Sequence, residues 1–256
     1  MPAETGSSSR QATGILHVVL SAILTAVVPT AAKLALEAGA TTLTVLSARG
    51  LIAVAVLSLA MLATGQRFAI GREALMACLL AGIAYLFMAY GYIGSVAYIP
   101  VSLAVLIYFT HPLLLALVAH LRGTERLNGR KIGIAIAVLF GLTLALGPEL
   151  AVLDPVGIAL AVLASVAVCG LILFAVEAQK GASSIQVMVY SSLVTSVVFS
   201  ALATGLGEWS IPESTSGWIG LALAGLGSAA GLLAFFAAFR HISPVIPTAL
   251  STDLCP

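Results

Sequence analysis

Charge is what this 256-residue chain has least of: 8% of its residues are Asp, Glu, Lys or Arg, against roughly a quarter in soluble domains. With 61% hydrophobic residues and a mean hydropathy of +1.14, water is not its main solvent. Cysteine is also scarce. Cys78, Cys169 and Cys255 sit singly in different apolar segments, which argues against a disulfide framework or a metal cluster and leaves packing as their reading. A formal net charge of +1 argues against nucleic acid as a partner. The chain has no G-x-x-x-x-G-K-[ST] loop and no polar stretch long enough for a nucleotide domain, so neither ATP machinery nor a cofactor is expected. Glu73 and Glu125 are isolated acids. Without paired carboxylates, a metal or a nucleophile with its base, no catalytic residue is assigned.

What is present is a succession of bilayer-length apolar stretches. A spanning helix needs ~20 apolar residues to cross ~30 Å of hydrocarbon. Such stretches run near 14–36, 42–62, 74–93, 101–121, 129–147, 156–176, 185–206 and 218–239, and a ninth begins at Pro244. The runs are continuous and rich in Leu and Ala, which favours helices over an alternating transmembrane barrel. The first run is too long for a signal-peptide core and lacks a small-residue cleavage motif. It therefore counts as a span, preceded by a short mobile tail with the cluster Ser7-Ser8-Ser9.

The second half repeats the first at a distance of about 142 residues. Gly39-Ala40-Thr41-Thr42-Leu43-Thr44-Val45-Leu46 returns as Gly181-Ala182-Ser183-Ser184-Ile185-Gln186-Val187-Met188, and Leu62-Ala63-Thr64-Gly65 returns unchanged as Leu202-Ala203-Thr204-Gly205. Pro100-Val101 with Pro112 reappears as Pro244-Val245 with Pro256. Arg10, Arg67, Arg72, Arg122, Arg126, Arg130, Lys131, Lys180 and Arg240 fall in the tail or in loops on one side, whereas Glu149, Asp154, Glu208 and Glu213 fall on the other. The positive-inside rule then places the amino terminus in the cytoplasm. With five spans per repeat, an odd number, the two halves are inverted relative to each other. Such repeats hold a site near the midplane between the halves, open alternately to either side.

These residues resemble the EamA-like branch of the drug/metabolite transporter superfamily over about residues 14 to 256. The likeness rests on Lys33 near the end of span one, Arg49 in span two, Tyr98 to Pro112, Gly123-Thr124-Glu125-Arg126-Leu127 after span four, and Gly133 and Gly141 in span five. The resemblance implies an all-α polytopic membrane protein of two inverted five-helix repeats, 14–147 and 156–256, behind a cytoplasmic tail, 1–13. Two features depart from the family pattern. Thr25 to Pro29 stand where a Trp-Gly pair is common, and the chain stops at Pro256. Thirteen residues from Pro244 reach only ~20 Å as a helix, so about nine of ten spans are expected, with the second repeat truncated.

Polar groups inside spans are functional candidates by default, because a charge at the bilayer centre is costly. His17, Ser21 and Thr25 occupy an arc of ~80° on a helix. They form either a stripe facing a cavity or interhelical hydrogen bonds. Lys33 follows Pro29, where a proline can break or kink the helix and free carbonyls. It either meets an anionic group or snorkels to the surface beside Glu37. Arg49, about ten residues into its span, either binds a carboxylate or phosphate by its fork of donors or anchors the helix on backbone carbonyls. Tyr85, Met88 and Tyr92 share one helix face, as do Tyr108, His111 and Pro112. Packing explains such stripes, but buried tyrosine hydroxyls need partners, and a histidine can titrate near neutral pH. Asp253 is the carboxylate expected deep in span nine.

The resemblance therefore implies a secondary transporter, an exporter of small polar metabolites such as amino acids across the cell membrane, of the bacterial inner-membrane type. Its partners are the lipid bilayer and a small-molecule substrate. The alternatives are a non-transporting membrane fragment acting in packing or assembly, and a membrane-embedded enzyme. Oligomeric state has no signature in the sequence.

Overall fold

The computed structural model describes residues 5–121 and 154–239, together with Gly133, Ala137, Phe140 and Gly141. All regular structure among these residues is helical. In chain order the helices are α1 (Thr5–Glu37), α2 (Thr42–Ala63), α3 (Arg72–Ser95), α4 (Val101–Tyr108), α5 (His111–Leu121), α6 (Pro155–Ala178), α7 (Ser184–Leu206) and α8 (Thr215–Phe239). Seven stretches among the described residues are long and apolar enough to cross a bilayer, with α4 and α5 counting together as one. The expected fifth span lies mostly, and the ninth wholly, outside the described residues.

Local chemistry explains where the helices start and stop. Thr41 accepts from the Thr44 amide at the head of α2. Asp154 accepts from Val156 and Gly157 ahead of Pro155, whose missing amide costs nothing in a first turn. Ser183 and Gln186 form a reciprocal capping box on α7, and Gly207 closes that helix at a positive φ of 67°, a conformation open to glycine without strain. Two boundaries differ from expectation. Helix α1 begins at Thr5, so residues 5–12 continue the helix rather than forming a loose tail, because helical hydrogen bonds are internal and need no apolar surroundings. It also runs through Pro29 to Glu37.

Span four, expected as one helix, is broken. Pro112 has no amide for the Tyr108 carbonyl four residues back, and its ring crowds that carbonyl. The helix stops at Tyr108 and restarts at His111. Side chains take up the freed acceptors: Thr110 Oγ1 donates to the Ile107 carbonyl at 2.7 Å, and His111 Nδ1 lies 2.9 Å from the Tyr108 carbonyl.

Helices of the first half pack chiefly on helices of the second: α1 on α8, α3 on α6 and α2 on α7. Each pair is antiparallel. A Cβ on Gly220 would come within 2.5 Å of the Ala31 carbonyl, and one on Gly231 would strike Thr25 Cγ2, so the α1–α8 backbones lie as close as glycine allows. Gly91 meets Leu160 and Ala164 in the α3–α6 pair, and Gly50 meets Ser196 in the α2–α7 pair.

The turns sort to two ends. At one, Thr41 Oγ1 donates to the Glu208 carbonyl at 2.6 Å, Ser210 Oγ to the Gly39 carbonyl at 2.6 Å, and the Glu213 amide to Ala38 at 3.0 Å. At the other, Ser183 Oγ donates to Gln66 Oε1 at 2.7 Å, Gln186 Nε2 to the Arg67 carbonyl at 2.5 Å, and Tyr190 to the Phe68 carbonyl at 2.7 Å. Gly181 also lies at this second end, where an added Cβ would be 3.2 Å from Ala74. The Gly39 and Gly181 turns thus occupy opposite ends of the bundle. Glu208 and Glu213 share the Gly39 end, and Arg67, Arg72 and Lys180 the Gly181 end.

Candidate functional site

Arg49 lies eight residues into α2, roughly 12 Å from the helix start at 1.5 Å per residue. It is 7% exposed. Its next neighbour is Gly50, whose lack of a side chain lets α7 approach at Ser196. The guanidinium Nη2 donates to the Tyr85 hydroxyl at 2.7 Å. Cζ sits 5.7 Å from the Tyr85 ring centroid, near the limit of a cation–π contact. The bond to the phenol oxygen, more than the ring face, therefore fixes the pair. A guanidinium carries five N–H donors. Among the described residues no carboxylate lies within ion-pair distance of it, and no backbone carbonyl accepts from it. Among these residues the partner of Arg49 is thus a phenol hydroxyl.

Tyr92 lies two turns beyond Tyr85 on α3 and carries the cluster to the break in span four. Its ring stands 4.7 Å from that of Tyr108, tilted by 34°. Tyr108 in turn lies 5.0 Å from His111 and meets Phe109 edge to face at 5.6 Å. Tyr92 and Tyr108 pack against the same apolar cluster as Tyr85, so the phenol that holds Arg49, the other two phenols and the imidazole share one neighbourhood. A carbonyl can only accept, so His111 must carry its proton on Nδ1 to bond Tyr108. Nε2 then keeps its lone pair. Behind the break, Thr110 Oγ1 and Ser165 Oγ are 2.7 Å apart, and Cys169 Sγ points at the His111 carbonyl at 3.6 Å.

Of the residues singled out by sequence, the structure brings together Arg49, Tyr85, Tyr92, Tyr108 and His111. Ser21 and Thr25 lie elsewhere, on the α1–α8 seam. Ser21 Oγ donates to the Gly231 carbonyl at 2.7 Å, and Thr25 Oγ1 turns back to the Ser21 carbonyl at 2.8 Å. Their hydroxyls serve helix packing. Lys33 is half-buried on α1, with neither a bond to the cluster nor an ion pair to Glu37. Asp253 lies outside the described residues. The sequence reading passed over Ser165 and Thr110 beside His111. It also passed over the buried hydroxyls Ser47, Ser191, Ser192 and Ser200, which have no hydrogen-bond partner among the described residues. The spacing of Ser191, Ser192, Thr195 and Ser196, at helical intervals of three and four, was the visible signal for a polar face on α7.

The cluster offers a fork of donors, ring faces and an imidazole acceptor at mid-depth.

Comparison with known proteins agrees with this architecture. The model of the EamA-like transporter family matches residues 12–147, more than half of the chain. A solved structure titled only "Crystal structure of protein" superposes with a TM-score of 0.65 at 21% identity, covering 91% of this chain and 79% of that one; the likeness is one of fold. No curated protein matches the chain.

Proposed function

The chain belongs to the EamA-like transporter family, and from that premise we propose that it is a secondary carrier exporting small polar metabolites, such as amino acids, across the cell membrane. The observation that carries this reading is the Arg49–Tyr85 pair, beside the aromatic rings that end at the broken span. It is a binding constellation at mid-depth, on helices that pack across the two halves. Transport would draw on an ion gradient or on the substrate's own gradient.

The helix pairing supports an inverted repeat. If α1, α2 and α3 correspond in turn to α6, α7 and α8, the contact of α1 with α8 maps onto that of α6 with α3, and the α2–α7 contact maps onto itself. A two-fold operation produces this pattern. Corresponding turns at Gly39 and Gly181 lie at opposite ends, as an axis in the membrane plane requires. The basic end holding Arg67, Arg72 and Lys180 supports an amino terminus in the cytoplasm.

The direct test is uptake and efflux of a labelled amino-acid and organic-acid panel in reconstituted vesicles, with and without a pH gradient. Saturable movement of at least one solute is expected. Vesicles no more permeable than protein-free ones to every member of the panel would sink the proposal.

A further inference from the structure

We infer that Arg49 is a receptor for the carboxylate of a small organic monoanion whose planar or apolar body lies against Tyr92, Tyr108 and His111. The inference rests on the carrier reading and, at the same site, moves the substrate class from amino acids to organic monocarboxylates. It starts from an imbalance of charge. A buried ion is normally paired, because leaving water without a counter-charge is expensive. Arg49 is only 7% exposed, yet its polar partner among the described residues is a neutral phenol. Among the same residues no carboxylate balances its charge. A carboxylate carried by a ligand would supply the missing counter-charge. A fork of parallel N–H groups fits a carboxylate by two hydrogen bonds at once.

The surroundings narrow the class. One cation neutralises one negative charge, and Lys33 on α1 is not joined to the cluster. A phosphate dianion would stay undercompensated. Among the described residues an ammonium group would find no carboxylate here, since Glu37, Glu73 and Glu177 stand at helix ends. Aromatic faces are electron-rich and do not attract a bare anion, but they stack well on apolar or planar groups. The 4.7 Å and 5.0 Å ring contacts therefore serve the body of the ligand, with the Nε2 lone pair of His111 available to a hydroxyl or N–H on it. Monocarboxylates should accordingly be preferred over zwitterions, and zwitterions over amines.

The experiment uses the full chain in lipid nanodiscs with four probes of related size or charge: 3-phenylpropanoate, phenylalanine, phenethylamine and chloride. Thermal unfolding is followed at constant ionic strength, and movement of labelled 3-phenylpropanoate is measured in vesicles. Saturable stabilisation by 3-phenylpropanoate is expected, with a weaker effect of phenylalanine and none of phenethylamine or chloride. Arg49→Gln should weaken the carboxylate response by roughly 30-fold or more, the scale for losing one partner of a buried hydrogen-bonded charge pair, and Arg49→Lys should restore only part of it. If Arg49→Gln fails to run as a single species on gel filtration, the probe ranking in the unmodified chain decides. Equal stabilisation by phenethylamine or chloride, or an undiminished response in Arg49→Gln, overturns the inference. Movement of uncharged or cationic solutes alone would leave the carrier reading standing and remove this one. Carboxylate binding without movement would do the reverse.

Discussion

The α1–α8 seam and the neighbourhood of Arg49 are both polar at points, yet they use polarity in opposite ways. On the seam, Gly220, Gly227 and Gly231 bring two backbones together, and the Ser21 hydroxyl is engaged by the Gly231 carbonyl across the interface. Around Arg49 a guanidinium with five N–H groups has, among the described residues, the Tyr85 hydroxyl as its hydrogen-bond partner. Within lipid, an engaged hydroxyl is glue, while an under-engaged cation marks a place kept for something else. Polarity by itself did not separate the two regions. Satisfaction of the polar groups does.

Substitutions can break this contrast or sharpen it. The largest effect should come from Arg49→Met, which removes the charge and keeps an unbranched stem. Transport in vesicles should fall to background while the unfolding temperature holds or rises, since replacing a buried ion by an apolar side chain is often neutral or stabilising. A loss of stability comparable to the loss of transport would make Arg49 a structural residue like those of the seam. Next comes Gly220→Val, whose Cβ would press within 2.5 Å of the Ala31 carbonyl. A cost of about 1 to 3 kcal/mol is expected for such overpacking, against near neutrality for Gly71→Ala, where nothing lies within 4 Å; chemical denaturation in detergent measures both. Ser21→Ala should cost about 0.6 kcal/mol, the average of interhelical hydrogen bonds within membranes, with transport kinetics unchanged. Smallest of all is Glu177→Gln, which breaks the 2.7 Å pair to Lys180 between side chains 59% and 70% exposed. Less than about 0.5 kcal/mol should be lost, and less still at high salt.

The sequence was legible where one residue's neighbours along the chain decide the outcome. Apolar runs at 42–62, 156–176 and 185–206 became α2, α6 and α7 within about two residues at each end, because hydrocarbon thickness and capping residues act locally. Prolines were read less well. Pro29 was expected to disturb α1 and does not end it, while Pro112, read as one member of an aromatic face, divides span four. The local chemistry is the same at both; what differs is the help around each. Helix α1 lies along α8 for much of its length, whereas at the second proline Thr110 and His111 supply side-chain donors that make a break inexpensive. The candidate site was legible as residue types on separate helix faces. Its assembly was not, since Arg49 meets Tyr85 across 36 positions of sequence, and the sequence left Ser21 and Thr25 open between a cavity stripe and interhelical bonding until the Gly231 carbonyl decided for the seam.

The two rows of bonds that fasten α2 to α7, at Thr41 and Glu208 above and at Ser183, Gln186 and Tyr190 below, make this pair the keel of the bundle. Prising it apart at either extremity would uncouple a helix cap together with the loop it grips.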